Sequence, residues 1–274
     1  MPESRVMIVD SHCHLDFPGL AEDLPGVLAR AQAVGVGRVV TISTHVARFA
    51  TYSGLAESHA NVFCTVGTHP HNAGVEPDVG VERLVDLSRH PRCIAIGEAG
   101  LDYHYDKSPR DVQAVVFRRH IAAARQTGLP LIIHARAADD DMIAILREEM
   151  ASGRFAAVLH CFSSGAELAR VGVELGLMVS FSGILTFKRS TDIREIAASV
   201  PADRLLVETD APYLAPEPHR GRPCEPAHVA LTAAVLAQVR GVDLPALAAL
   251  TTANFYRTFR KAAACDGIVV GAAA

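Results

Sequence analysis

Eight short, mostly apolar runs rich in β-branched residues recur along the chain, at 6–10, 38–42, 62–66, 93–96, 131–134, 157–160, 177–181 and 205–208. Longer stretches with helical periodicity separate them, among them 24–34, 81–88, 112–126, 139–150 and 166–175. Runs this short and apolar read as strands buried on both faces, the pattern of a parallel sheet joined by helical crossovers. Eight such units close into a single α/β domain, a (β/α)8 TIM barrel. An open doubly wound sheet is the competing architecture for the same alternation. Two further helical stretches, 227–240 and 244–259, complete a domain over 1–262. The tail, 263–274, is small and apolar without a clear period, and is expected to dock loosely or be disordered.

Half of the 274 residues are apolar, enough for one large core and too many for a disordered chain. A net charge of −4 argues against coating nucleic acid over the whole surface, while leaving room for a basic rim around a pocket. No apolar run reaches the ~18 residues of a membrane-spanning helix. Residues 1–10 carry charges and lead straight into a strand, unlike a signal peptide, so a cytoplasmic location is expected. The six cysteines form no CxxC pair and read as reduced thiols. The proline-rich segment 212–226 reads as a stiff loop.

In a barrel of parallel strands the chemistry gathers at the C-terminal strand ends. His12 and His14 follow the first run, and their i, i+2 spacing places both rings on one side of an extended segment. Glu98 follows the fourth run, His134 the fifth, His160 the sixth and Asp210 the eighth. Singly, each is as ordinary as a capping carboxylate or a hydrogen-bonded loop histidine. Together they become a metal site, because barrel closure brings five strand mouths to one axis. Four histidines and two carboxylates exceed the three protein ligands of a mononuclear catalytic site. Two divalent metal ions sharing a carboxylate fit better. Zn²⁺ or Mn²⁺ suits the nitrogen-rich set, with Mg²⁺ favouring oxygen.

The ordered motifs DSHCHLD (10–16), GTHP (67–70), GEAGLDYHYD (97–106), PLIIHAR (130–136), HCFSS (160–164), ETDAPYLAPEPHRGRPCEP (208–226) and TTANFYRTF (251–259) carry a resemblance. The chain resembles the TatD family of metal-dependent deoxyribonucleases, within the amidohydrolase-like barrels. The resemblance implies that His12, His14, Glu98 and Asp210 hold one metal. Glu98 would bridge to a second, completed by His134 and His160. It also implies a metal-bound hydroxide as nucleophile, with Asp210 taking the proton from the attacking water. Two departures stand out: Cys224 where the family's loop commonly has asparagine, and Ser164 before Gly165 where it has glycine.

The resemblance implies single-stranded DNA as the partner, cleaved 3′→5′ from its end by a monomeric exonuclease. The alternative on the same two-metal centre is an amide, lactone or aminoacyl-ester hydrolase. Arg136, two residues beyond His134, suits bidentate phosphate binding better than a surface salt bridge. His69 could contact a phosphate or serve as a loop hydrogen bond. Arg220 and Arg222 could grip a nucleic-acid backbone or remain solvated. Glu208 shares a strand face with Asp210 and is expected to orient a ligand histidine rather than bind metal. His45, His59, His90, His120 and His228 fall in helical or linking segments and read as surface or core residues.

Overall fold

The computed structural model describes residues 7–271. Eight parallel strands lie side by side in chain order: β1 (Ile8–Cys13), β2 (Val36–Thr41), β3 (Val62–Val66), β4 (Cys93–Asp102), β5 (Leu131–Arg136), β6 (Ala157–Leu159), β7 (Met178–Phe181) and β8 (Leu205–Val207). Between them run α1 (Leu24–Ala33), α2 (Phe49–Ser58), α3 (Val81–Ser88), α4 (Arg110–Thr127), α5 (Asp139–Ser152), α6 (Ala166–Glu174) and α7 (Thr191–Ser199). This is the (β/α)8 barrel; each strand pairs with its sequence neighbours, which an open doubly wound sheet does not allow. The first expected strand begins at 6, outside the described residues. Helices α8 (Val229–Arg240), α9 (Leu244–Thr258) and α10 (Arg260–Cys265) follow the eighth strand.

One apolar residue from each strand builds the lower floor of the barrel: Val9, Val40, Phe63, Ile94, Ile132, Val158, Met178 and Leu206, all buried. A ring of eight inward side chains leaves its N-terminal end open to water unless something covers it. Phe255, Tyr256 and Phe259 cover it, followed by Ala262 and Ala263 from α10. The start of the segment expected at 263–274 to dock loosely or be disordered is therefore helical and packed, while Val269 is exposed and 272–274 lie outside the described residues. The closing helix runs across residue 262, because two alanines continue the apolar face that Phe255 and Phe259 begin. Asp266 then pins it, accepting from Arg38 Nε at 2.8 Å and from the Tyr256 hydroxyl at 2.7 Å.

Strands β1 and β4 extend further than their apolar runs, and in both the pairing register shifts where the polar site residues begin. In β4 the pairing register with β5 slips between Ile96 and Ala99, which places Glu98 inside an irregularity rather than at a strand end. Gly100 follows at φ 154°, and a Cβ there would sit 2.0 Å from the His134 carbonyl oxygen. Only glycine lets β4 pass this close to the segment carrying His134.

Closure between the first and eighth strands is made by a few specific bonds rather than a regular ladder. Asp210 N–H donates to the His12 carbonyl at 2.9 Å, and His14 N–H to the Ala211 carbonyl at 2.7 Å. Below them the buried Asp10 carboxyl accepts from Thr209 N–H at 2.9 Å and from the Thr209 hydroxyl at 2.7 Å. Burial pushes the Asp10 carboxyl up to about 8, so the seam carries little buried charge at neutral pH.

Among the described residues no single helix is long and apolar enough to cross a membrane. All six cysteines are free. Cys224 is buried, and its N–H donates to the Pro212 carbonyl at 3.0 Å, so the backbone secures the loop where an asparagine amide is absent.

The seam yields a stability prediction. Asp10→Ala leaves two buried Thr209 donors without acceptors, at about 1–3 kcal/mol each. The variant is expected to unfold in urea with a loss of at least ~2 kcal/mol relative to the parent chain. An unchanged urea midpoint and slope would remove Asp10 from barrel closure.

Candidate metal centre

His12 and His14 come from the end of β1 and the residue just beyond it, Glu98 from within β4, and His134 from β5. His160 follows β6 directly, and Asp210 lies three residues past β8. The chain must leave each strand sharply to keep these side chains over the barrel axis. Cys161 (φ 43°), Ala137 (φ 53°) and Asp210 itself (φ 60°) all adopt the left-handed conformation that non-glycine residues avoid. Such strain is retained where the surroundings over-determine it, as at functional sites.

The six side chains meet. Glu98 Oε1 lies 2.8 Å from His134 Nδ1 and 2.8 Å from His160 Nε2. Its other oxygen, Oε2, lies 3.5 Å from His12 Nε2. Asp210 Oδ1 is 3.6 Å from His12 Nε2 and 3.5 Å from His14 Nε2. Donor atoms of His12, His14 and Asp210 fall within 4.8 Å of one another, as do those of His12, Glu98 and His160. The two oxygens of one buried carboxylate thus face two separate groups of nitrogens.

Hydrogen bonds set which nitrogen of each ring is free. Glu208 Oε1 accepts from the Cys161 N–H at 2.7 Å and faces His160 Nδ1 at 3.1 Å. A proton on Nδ1 leaves the Nε2 lone pair directed at the Glu98 side of the site. Asp102 Oδ2 does the same for His134, at 3.0 Å from Nε2, leaving Nδ1 free. Carboxylates placed behind imidazoles in this way orient them and raise their basicity.

The electrostatics show what the cluster lacks. Burial would raise the Glu98 carboxyl, yet His160, His69 and His12 around it hold it well below the usual range. Burial likewise opposes a charge on His160, but Glu98 and Glu208 raise it well above an ordinary histidine. Four buried atoms, both ring nitrogens of His12, His14 Nδ1 and Glu98 Oε2, have no hydrogen-bond partner. Buried polar atoms are ordinarily paired, and each orphan costs on the order of 1–3 kcal/mol. Divalent cations fit the inward-facing part of this donor set: they would supply partners for His12 Nε2 and Glu98 Oε2 and balance the carboxylates.

His69 behaves differently. Its Nδ1 accepts the His71 N–H at 3.0 Å, so the ring proton sits on Nε2, 3.4 Å from Glu98 Oε1. Burial holds its pKa well below that of an ordinary histidine. The ring is a neutral N–H donor aimed into the site rather than a lone pair offered to a cation.

A cavity of about 870 Å³ opens above these groups. Arg136 lies on its wall with its guanidinium 4.8 Å from the Tyr105 ring centre. Arg220 and Arg222 are not among its lining residues, and Arg220 stacks on Phe187 at 4.2 Å. Two successive turns, His219 N–H to the Pro216 carbonyl and Arg222 N–H to the His219 carbonyl, shape the loop that carries them.

Other residues come to the site without having been singled out. His71 and Asp102 are joined at 2.8 Å beside His134. The signal was present, since His69 and His71 repeat the i, i+2 spacing of His12 and His14. His45, read as a surface or core residue, lines the cavity, as does Arg48, which is paired with the buried Asp16 carboxylate at 2.9 Å. His120 is a core residue: its Nε2 accepts the Thr68 N–H at 3.0 Å, and burial lowers its pKa to about 4.

Comparison with known proteins agrees with this geometry. A family model described as TatD related DNase matches residues 9–260. YabD of Bacillus subtilis, described as an uncharacterized metal-dependent hydrolase, is 38% identical over 254 residues, covering 93% of this chain and 99% of that protein. The 3′-5′ ssDNA/RNA exonuclease TatD of Klebsiella pneumoniae is 33% identical over 257 residues, 91% of this chain and 97% of that protein. The crystal structure of YJJV, a TatD homologue from Escherichia coli K12, superposes with a TM-score of 0.86 at 30% identity, covering 92% of this chain and 98% of that one. Barrel, strand order and match over nearly the whole length agree, and the chain belongs to the TatD-related DNase family of metal-dependent hydrolases.

Proposed function

We propose that this chain is a deoxyribonuclease acting 3′→5′ on single-stranded DNA with two divalent metal ions per chain. The observation that carries the two-metal reading is Glu98, whose two oxygens face separate groups of nitrogens. His12, His14 and Asp210 would hold one ion with Glu98 Oε2; His134 and His160 would hold the other with Oε1. The name of the Klebsiella relative supports a polynucleotide substrate. The cavity's arginines support an anionic one.

When bound, a pair of divalent cations makes water acidic enough to attack at neutral pH and polarises a phosphoryl oxygen. The chain's own residues supply the rest. Asp210, kept ionised by His14 and His12 against the cost of its burial, accepts the proton of the attacking water. The His69 Nε2–H and the Arg136 guanidinium donate to phosphoryl oxygens, fixing the substrate for in-line attack. Asp102 and Glu208 hold His134 and His160 in register.

Three outcomes test this reading. Metal-free protein titrated with Mn²⁺ or Zn²⁺ is expected to saturate at two ions per chain by elemental analysis. Binding should weaken as the pH falls, because their carboxylate neighbours make His134 and His160 bind protons more tightly than an ordinary histidine and protons compete for the same atoms. One ion at saturation overturns the two-metal centre. Asp210→Asn should lower kcat by at least ~10² on a single-stranded oligonucleotide with the fold retained, and near-normal turnover in metal-loaded variant would dismiss Asp210 as base. Arg136→Ala should lower kcat/KM on the oligonucleotide roughly 10- to 150-fold, the equivalent of one charge-assisted hydrogen bond of about 1.5–3 kcal/mol. Loss of ester or amide turnover with oligonucleotide cleavage untouched would favour a carbonyl hydrolase on the same centre.

A further inference from the structure

The walls of the cavity are chemically divided. On one side, at the end of β5 and in the loop after β4, stand Arg136 and Lys107, both over the Tyr105 ring. On the other, from the loops after β1 and β8, stand Phe17 and Tyr213. The metal-ligand candidates lie between. Phe17 and Tyr213 meet edge to face, with centroids 5.8 Å apart and planes at 78°. Phe17 also lies 5.2 Å from His14.

An edge-to-face aromatic pair is an ordinary packing motif. Packing alone would bury it, and Tyr213 is 50% exposed. Its position is nevertheless fixed. Tyr213 N–H donates to the Asp210 carbonyl at 2.9 Å, and the preceding Pro212 carbonyl is held by the buried Cys224. Leu214 follows in the left-handed conformation at φ 53°. The result is an exposed aromatic ring with a rigid backbone, three residues from Asp210. Tyr105, the other exposed tyrosine at the mouth, already carries Arg136 at 4.8 Å and Lys107 at 5.6 Å over its ring. It belongs to the cationic side, and its face is occupied.

We infer that Tyr213, backed by Phe17, is the platform on which the base of the terminal nucleotide stacks while its phosphate lies against the cationic wall. This rests on the nuclease reading above and names the part of the substrate that Tyr213 reads. A base stacked on an aromatic ring is recognised by its π-face, so the platform discriminates base from no base with little preference among the four.

The test compares single-stranded oligonucleotides ending in a normal 3′ nucleotide or in an abasic tetrahydrofuran nucleotide, cleaved by the metal-loaded enzyme. The parent enzyme should favour the base-bearing end in kcat/KM by roughly 5- to 150-fold, the range set by one base–aromatic stack. Tyr213→Phe should keep that preference, and Tyr213→Leu, of similar bulk without a π-face, should lose most of it. Equal cleavage of both ends by the parent overturns the platform and leaves the nuclease reading standing. So does a Tyr213→Leu variant that keeps the preference, or that loses activity on both ends equally. Cleavage of neither oligonucleotide by the parent overturns the nuclease reading, and the platform with it.

Discussion

The seam between β1 and the chain leaving β8 is the constraint on which the site depends. A parallel sheet in chain order has its first and last strands at opposite edges, and only closure brings them together. Here closure joins residues 199 apart in sequence through the Asp10–Thr209 bonds. The adjoining backbone bonds involve His12, His14, Asp210 and Ala211, so the barrel is sealed by the same residues that carry one half of the donor set. Spacing between His14 and Asp210 is therefore set by main-chain hydrogen bonds rather than by flexible side chains. A loosened seam would cost stability and would separate these ligands at once.

Burying so many ionisable groups at one place is unfavourable unless something offsets it. The protein does part of this itself. Asp102 and Glu208 stand behind His134 and His160, and His69 directs an N–H at Glu98. The remaining deficit falls on His12, His14 and the second oxygen of Glu98, which no protein group satisfies. Of these atoms His12 Nε2 and Glu98 Oε2 face each other at 3.5 Å, whereas the two Nδ1 atoms lie on the far side of their rings. The inward pair is what a cation site requires: donor atoms that no protein group uses.

The barrel was legible in the sequence because strand burial on both faces leaves short apolar runs, and the six donor residues because they follow those runs. What the sequence concealed depends on distance across the fold. Asp102 lies in the same motif as Glu98, but β4 had to be seen continuing through its irregularity before Asp102 could be placed beside His134. Arg220 and Arg222 sit in a motif that carries site residues, yet neither lines the cavity. His45 and Arg48 lie where periodicity says only that a helix is about to begin. The closing helix was missed at the tail because alanines give a weak period, although against an open barrel end they make good packing surfaces.

A donor set of histidines and carboxylates is indifferent to whether the atom attacked is phosphorus or carbon, since both reactions use water activated by the same cations. Discrimination has to come from what surrounds the centre. Here the surroundings are unequal: Lys107 and Arg136 on one wall, Phe17 and Tyr213 on the other. The cationic wall lies near Asp102, away from the seam, and the aromatic wall rises from the seam itself. A small neutral ester has no group that would use both walls. A nucleotide has groups for both, because its charge and its planar apolar face lie at opposite ends of one unit. The net charge of −4 does not oppose this, because field lines in a cleft are set by the charges that line it.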